Sequence, residues 1–173
     1  MQTAYLLLGG NLGNVPETFS RVFALLSDQN IRVCAVGSLY ASEPWGMVGA
    51  DMFYNQAIAV ITPLDPPTLM KRLLAIEEKL GRKRIRDRLK SRTIDIDILF
   101  YGQLVVSMPG VVIPHPRLHL RRFALQPLAD IAPGFVHPLL GKRIDQLLRE
   151  CQDPLKTKKV NTLPQADIHS TES

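Results

Sequence analysis

At 173 residues, 46% apolar and 21% charged, the chain has the size and composition of one domain with a full core. Two cysteines are too few for a disulfide scaffold, and no apolar run is long enough to span a bilayer. The net charge of +5 would admit a nucleic-acid partner, but an aromatic content of 6% offers few stacking faces for one.

In chain order, Thr3–Leu8 is a short apolar run that reads as a strand, and Gly9-Gly10-Asn11 reads as the turn after it. Pro16 opens a helical pattern in which Phe19, Val22, Phe23, Leu25 and Leu26 recur at spacings of three and four. Ile31–Tyr40 is the second predicted strand. Ser42–Asp51, with Pro44, Trp45, Gly46 and Gly49, is a loop. Phe53–Ile61 is a third strand, Pro63–Pro67 a turn, and a helix from Pro67 through Leu80 is stopped by Gly81. A basic loop leads to a fourth strand over Thr93–Tyr101. Val112–Pro116 is an extended proline-rich approach, followed by short helices over Arg121–Ile131 and Ile144–Glu150.

The order β-α-β-β-α-β is that of the ferredoxin-like α+β core, an antiparallel sheet with its helices on one face and here a C-terminal extension. Residues 1–153 are expected to form a single domain and 154–173, polar and without period, a flexible tail. Met1 runs straight into strand pattern with no leader-like segment, so a cytoplasmic location is expected.

The chemistry concentrates at one junction. Gly81–Arg92 holds seven cations (Arg82, Lys83, Arg84, Arg86, Arg88, Lys90, Arg92) against Asp87, a local charge of +6; the remaining fourteen cations and fifteen anions leave −1. The sequence then runs Arg92-Thr-Ile-Asp-Ile-Asp97. On a strand Asp95 and Asp97 share a face, with carboxylates about 6–7 Å apart, and Ile94, Ile96 and Ile98 share the other. Carboxylates inside an apolar strand need partners, and a hard cation is one. Metal-binding carboxylates beside phosphate-binding arginines suit a magnesium polyphosphate.

Several motifs occur in the order found in one family. They are Leu6–Gly13, Tyr40–Gly46, Phe53–Ala57, Ile76-Glu77, Gly81-Arg82, Arg92–Asp97, Ile113–Arg117 and Arg121–Pro133. Together they resemble the 6-hydroxymethyl-7,8-dihydropterin pyrophosphokinases of folate biosynthesis, over about Ala4 to Pro133. The resemblance implies transfer of pyrophosphate from MgATP to the pterin hydroxymethyl group with release of AMP. It implies two Mg2+ ions on Asp95 and Asp97, and Arg82 and Arg92 as catalytic residues on the ATP phosphates. It implies a pterin pocket of Phe53, Asn55, Trp45 and Phe123, and nucleotide contacts from Glu77, Arg84, His115 and Arg121. Lys83, Arg86, Arg88 and Lys90 then supply steering charge. ATP and the hydroxymethyldihydropterin are the expected partners, with no nucleic acid and no membrane, and the chain is expected to act as a monomer.

Three departures from the family pattern stand out. Leu89, Lys90 and Ser91 replace a common Trp-Gly-Pro in the basic loop, Gly10 stands where serine is frequent, and Leu120 replaces a frequent polar residue. Read from residues alone, the same aspartates and basic run would also serve a metal-dependent phosphodiesterase or nuclease. The predicted fold would likewise suit an RNA-binding module.

Overall fold

The computed structural model describes residues 1–43, 52–81 and 94–160. Trp45, Arg82, Arg84 and Arg92, the steering cations Lys83, Arg86, Arg88 and Lys90, and Leu89 and Ser91 all lie outside the described residues.

The first half reproduces the split β-α-β pattern: β1 (Gln2–Gly10), α1 (Val15–Asp28), β2 (Arg32–Val36), β3 (Tyr40–Ser42), β4 (Phe53–Thr62), α2 (Pro66–Lys79) and β5 (Asp95–Tyr101). Local chemistry sets the helix starts. The Asn14 side chain accepts from the Glu17 N–H at 3.2 Å, and Asp65 accepts from the Thr68 N–H at 2.8 Å. A proline follows each cap, where its missing N–H costs nothing. Gly81, at φ +97°, ends α2 in a conformation that favours glycine.

The sheet order is β5-β1-β4, all antiparallel, with β2 and β3 consecutive along the far side of β4. Two expectations are corrected here. Gly9 and Gly10 belong to β1, paired with Asn55 and Tyr54, so the turn begins at Asn11. The single predicted strand Ile31–Tyr40 is two strands, broken after Val36. At Gly37 the chain meets a later helix so closely that an added Cβ would lie 3.1 Å from the Pro127 carbonyl.

The second half adds a hairpin of β6 (Val106–Met108) and β7 (Val111–Ile113), then α3 (Arg122–Ile131), α4 (Ile144–Glu150) and β8 (Thr157–Lys159). The hairpin and β8 were not expected. Residues 157–159, assigned by composition to a flexible tail, pair with β3, with Tyr40 opposite Lys159 and Ser42 opposite Thr157. Three residues are too few for a periodic signal, and their order comes from the partner strand.

Two cores flank the sheet. Leu6, Leu8, Ile58, Val60, Ile96 and Ile98 pack with α1 and α2 residues such as Phe19, Val22, Leu69 and Leu73. Leu7, Ala57, Leu99 and Phe100 pack with Leu118, Leu125 and Leu128 from the region of α3. Helices therefore cover both faces: α1 and α2 lie together on one, as expected for the core, and α3 and α4 of the C-terminal extension lie on the other. The polar ends of β4 and β5 are on that face.

Candidate active site

The site is one row of backbone pairings. Gly9 of β1 pairs with Asn55 of β4 on one side and Asp95 of β5 on the other. Two residues along, Leu7 pairs with Ala57 and with Asp97. Strand alternation sends Ile96 and Ile98 into the α1/α2 core, so Asp95 and Asp97 face the α3 side with Asn55 and Phe53. Both aspartates are half-buried, whereas Asn55 is 7% exposed. A Cβ on residue 9 would stand 3.0 Å from Asn55 Oδ1 and 4.0 Å from Asp95 Cβ. Glycine at this position lets the amide and the carboxylate share one floor. In the sequence Gly9 reads only as a turn residue; the signal for its packing role is its pairing, which composition does not reveal.

Behind the aspartates, Glu77 of α2 is 2% exposed, and its Oε1 accepts the backbone N–H of Ile96 at 2.7 Å. Among the described residues β5 is the last strand of its sheet, with no neighbouring strand beside this N–H. The carboxylate grips the strand at the residue between the two aspartates. Three residues further on, Leu99 is the extra residue of a β-bulge, since Tyr5 pairs with Phe100 and Leu6 with Ile98.

The nucleotide-side candidates His115 and Arg121 lie in the segment before α3, where the Arg121 charge interacts with Asp97. The His115 N–H donates to the Leu99 carbonyl at 3.0 Å, which ties that segment to β5. His115 Nδ1 accepts the Arg117 N–H at 3.2 Å, so a neutral ring carries its proton on Nε2. Burial, then the Arg121 and Arg117 charges, hold its pKa below the usual histidine value. Arg121 is pushed down by burial and by Arg117, and held up by Asp97 and Asp153. Its guanidinium carbon lies 5.5 Å from the centroid of the Phe123 ring.

A link absent from the sequence reading joins the far end of α3 to the strand that enters residues 44–51. The Tyr40 hydroxyl donates to Asp130 at 2.9 and 3.0 Å, and the Ser38 N–H donates to the same carboxylate at 3.2 Å. Burial, and then Asp130, push the phenol pKa up to about 12, so Tyr40 remains a donor. Thus Phe53, Asn55, Asp95, Asp97, His115, Arg121 and Phe123 belong to one end of the second sheet face and the segments bordering it. Glu77 stands on the opposite face.

The donor set fits magnesium. Two carboxylates on adjacent outward positions of one strand can each supply oxygen ligands, and Mg2+ takes one or two carboxylates and completes its shell with phosphate and water. Among the described residues no third His, Cys, Asp or Glu joins them in a group able to hold an ion.

The sequence model of the family described as 7,8-dihydro-6-hydroxymethylpterin-pyrophosphokinase matches residues 5–133. The 2-amino-4-hydroxy-6-hydroxymethyldihydropteridine pyrophosphokinase of Methylorubrum extorquens is 42% identical over 137 residues, 79% of this chain and 86% of that one. The Synechocystis protein of the same name is 39% identical over 144 residues, 83% of this chain and 73% of that one. The chain is 36% identical to the folic acid synthesis protein fol1 of Pneumocystis carinii over 88% of its own length but spans only 20% of that protein. Among solved structures, wild-type Plasmodium falciparum HPPK-DHPS with pteroate superposes with a TM-score of 0.72 at 17% identity, over 86% of this chain and 44% of that one. At that identity the likeness is one of fold.

Proposed function

Because the chain belongs to the 7,8-dihydro-6-hydroxymethylpterin-pyrophosphokinase family, we propose that its site carries pyrophosphate from ATP to the hydroxymethyl group of the dihydropterin, releasing AMP. The hydroxyl oxygen attacks the β-phosphorus, the bond to the α-phosphate oxygen breaks, and AMP leaves with that oxygen as the hydroxyl gives up its proton. Such a transfer depends on in-line positioning and on neutralised oxygens more than on covalent help from the protein. The observation that carries this reading is the floor of Asn55, Gly9, Asp95 and Asp97, where a buried amide and two carboxylates share one sheet face.

Asp95 and Asp97 would hold Mg2+, two ions in this reading, which would supply Lewis-acid polarisation of the phosphoryl oxygens and offset their charge. Glu77, a nucleotide contact by resemblance, also acts through β5, fixing the strand that displays the aspartates. Asn55 reads the pterin's amide-like edge, and its burial makes an unmatched ring costly. Phe53 flanks it, Phe123 offers a stacking face, and Trp45 joins them from the 44–51 segment. His115 and Arg121 bind the nucleotide, with the depressed histidine neutral and donating from Nε2. Arg82, Arg84 and Arg92 supply planar guanidinium groups to the phosphates from the segment after α2. The protein acts as a cytoplasmic monomer without nucleic acid. No helix among the described residues is long and apolar enough to cross a membrane.

The test is AMP release from MgATP by the purified protein, with and without 6-hydroxymethyl-7,8-dihydropterin. AMP that depends on the pterin supports the reading. ATP breakdown at the same rate without pterin, or hydrolysis of nucleic acid, would support a hydrolase instead.

A further inference from the structure

Helix α3 begins without a cap of its own. Its N-cap position is Arg121, whose side chain makes no capping hydrogen bond, although its carbonyl accepts from the Ala124 and Leu125 N–H groups at 3.1 and 3.0 Å. Arginine lacks the short acceptor that this position favours. The acceptor comes from elsewhere. Asp153, 31 residues away in sequence, accepts the Arg122 N–H on Oδ2 at 3.0 Å and the Leu155 N–H on Oδ1 at 3.0 Å. The Arg122 side chain grips the same segment in return: Nε donates to the Asp153 carbonyl at 3.2 Å, and Nη2 donates to the Cys151 carbonyl at 2.9 Å. Beyond it, β8 locks onto β3, and the Val160 N–H donates to the Leu39 carbonyl at 2.8 Å.

We propose that Asp153 caps α3 from the C-terminal segment and is a positioning residue for Arg121 and Phe123, the two substrate contacts at that helix start. The inference rests on the functional reading of those two residues above. It also accounts for how an arginine can occupy a capping position: the side chain there is committed to the nucleotide, and the helix takes its acceptor from residues 151–155. This segment lies outside the 5–133 span that matches the family. The geometry has a directional consequence. A helix start that frays moves the Phe123 ring and the Arg121 guanidinium together, because they are two residues apart and the guanidinium carbon lies 5.5 Å from the ring centroid. Asp97 and Asn55, held by the sheet, do not move with them. Loss of the cap therefore weakens substrate binding more than it slows the bound complex.

The experiment compares wild type with Asp153→Ala, Asp153→Asn and Arg122→Ala. It measures amide hydrogen exchange over residues 122–125, and KM for pterin and for ATP separately from kcat. Asp153→Ala is expected to speed exchange in that first turn and to raise both KM values roughly three- to tenfold, the range of a lost cap, with kcat within about twofold. Asp153→Asn keeps one accepting oxygen for these two N–H groups and is expected to raise KM by less than Asp153→Ala does. Arg122→Ala keeps the capped N–H but loses the two side-chain grips, and shifts KM in the same direction by less. That variant carries the test if Asp153→Ala does not fold. A lowered melting temperature with unchanged KM in the folded variants would overturn the proposal, since it would make the contact structural only. So would a rise in KM for Asp153→Ala with no faster exchange over residues 122–125, because charge rather than capping would then be at work. Failure of the parent reading looks different: wild type itself would make no pterin-dependent AMP, and this inference would fall with it.

Discussion

In the proposed reaction Asp95 and Asp97 carry the heaviest load for single residues. Each is half-buried on the α3 side of β5 and is expected to anchor an ion whose charge the transition state needs. Asp95→Ala or Asp97→Ala should lower the transfer rate by about 10³ or more while the fold persists, the scale of losing a principal electrostatic element. Single-turnover AMP release, beside a circular dichroism check of folding, measures this, and near-normal release by the double variant would remove both residues from the mechanism. Gly9 is the second residue to test. An alanine there would put a methyl 3.0 Å from Asn55 Oδ1, tighter than a β-carbon ordinarily sits. Relief requires the amide to move, so Gly9→Ala should weaken pterin binding by about tenfold, a cost on the order of 1–2 kcal/mol. Equal pterin affinity in a direct titration would show that Asn55 is not the reading group. The aspartate pair was legible in the sequence because strand alternation alone places two side chains on one face. The role of Gly9 was not, because it depends on which strands lie to either side.

Among elements, β5 and α3 decide how well the site is held. Glu77 secures β5 from the α2 side through a 2.7 Å hydrogen bond from the Ile96 N–H. Glu77→Ala would leave that buried N–H without this acceptor, which should cost about 2–3 kcal/mol, since hydrogen bonds to charged groups are the stronger kind. It should also weaken Mg2+ binding, because the strand displaying both aspartates loosens. Glu77→Gln, which keeps an accepting oxygen, should lose less of both. Denaturant unfolding paired with Mg2+ titration separates the two effects, and a Glu77→Ala protein with wild-type stability would contradict the role. The sequence placed α1 and α2 well: Phe19, Val22 and Leu26 recur at helical spacing, and prolines mark the starts. It joined β2 and β3 into one strand, because nothing local announces that α3 will press against Gly37. It took Thr157–Lys159 for tail, because those residues are polar and gain order from pairing with Tyr40–Ser42. The cap on α3 was hidden for the same reason, since no window spans Arg122 and Asp153 together.

For the molecule as a whole, buried histidines set how stability responds to acid. His137 is 3% exposed, and its Nδ1 accepts the Leu139 and Leu140 N–H groups at 3.2 and 3.1 Å, which keeps that nitrogen unprotonated. Burial, and then the charge of His119, hold its pKa below the ordinary 6.5; His115 is depressed too. A depressed folded pKa means that the unfolded chain takes up the proton first, so stability is present in full above about pH 6.5 and falls as the pH drops toward the folded values. The thermal midpoint should therefore decline between about pH 7 and about pH 5. In His137→Asn, whose side-chain oxygen can still accept those N–H groups, the decline should be shallower. A midpoint flat with pH in wild type would mean that these rings protonate freely in the folded protein. The two sheet faces carry two cores: α1 and α2 pack on one, and α3 and α4 pack on the other, the face that also holds Asn55, Asp95 and Asp97. Attack on ATP at its β-phosphorus is tested by phosphorus NMR of the completed reaction. AMP and a pterin diphosphate should form in equal amounts, with the β- and γ-phosphates of ATP carried over together. ADP with a singly phosphorylated pterin, or free phosphate with unchanged pterin, would contradict it.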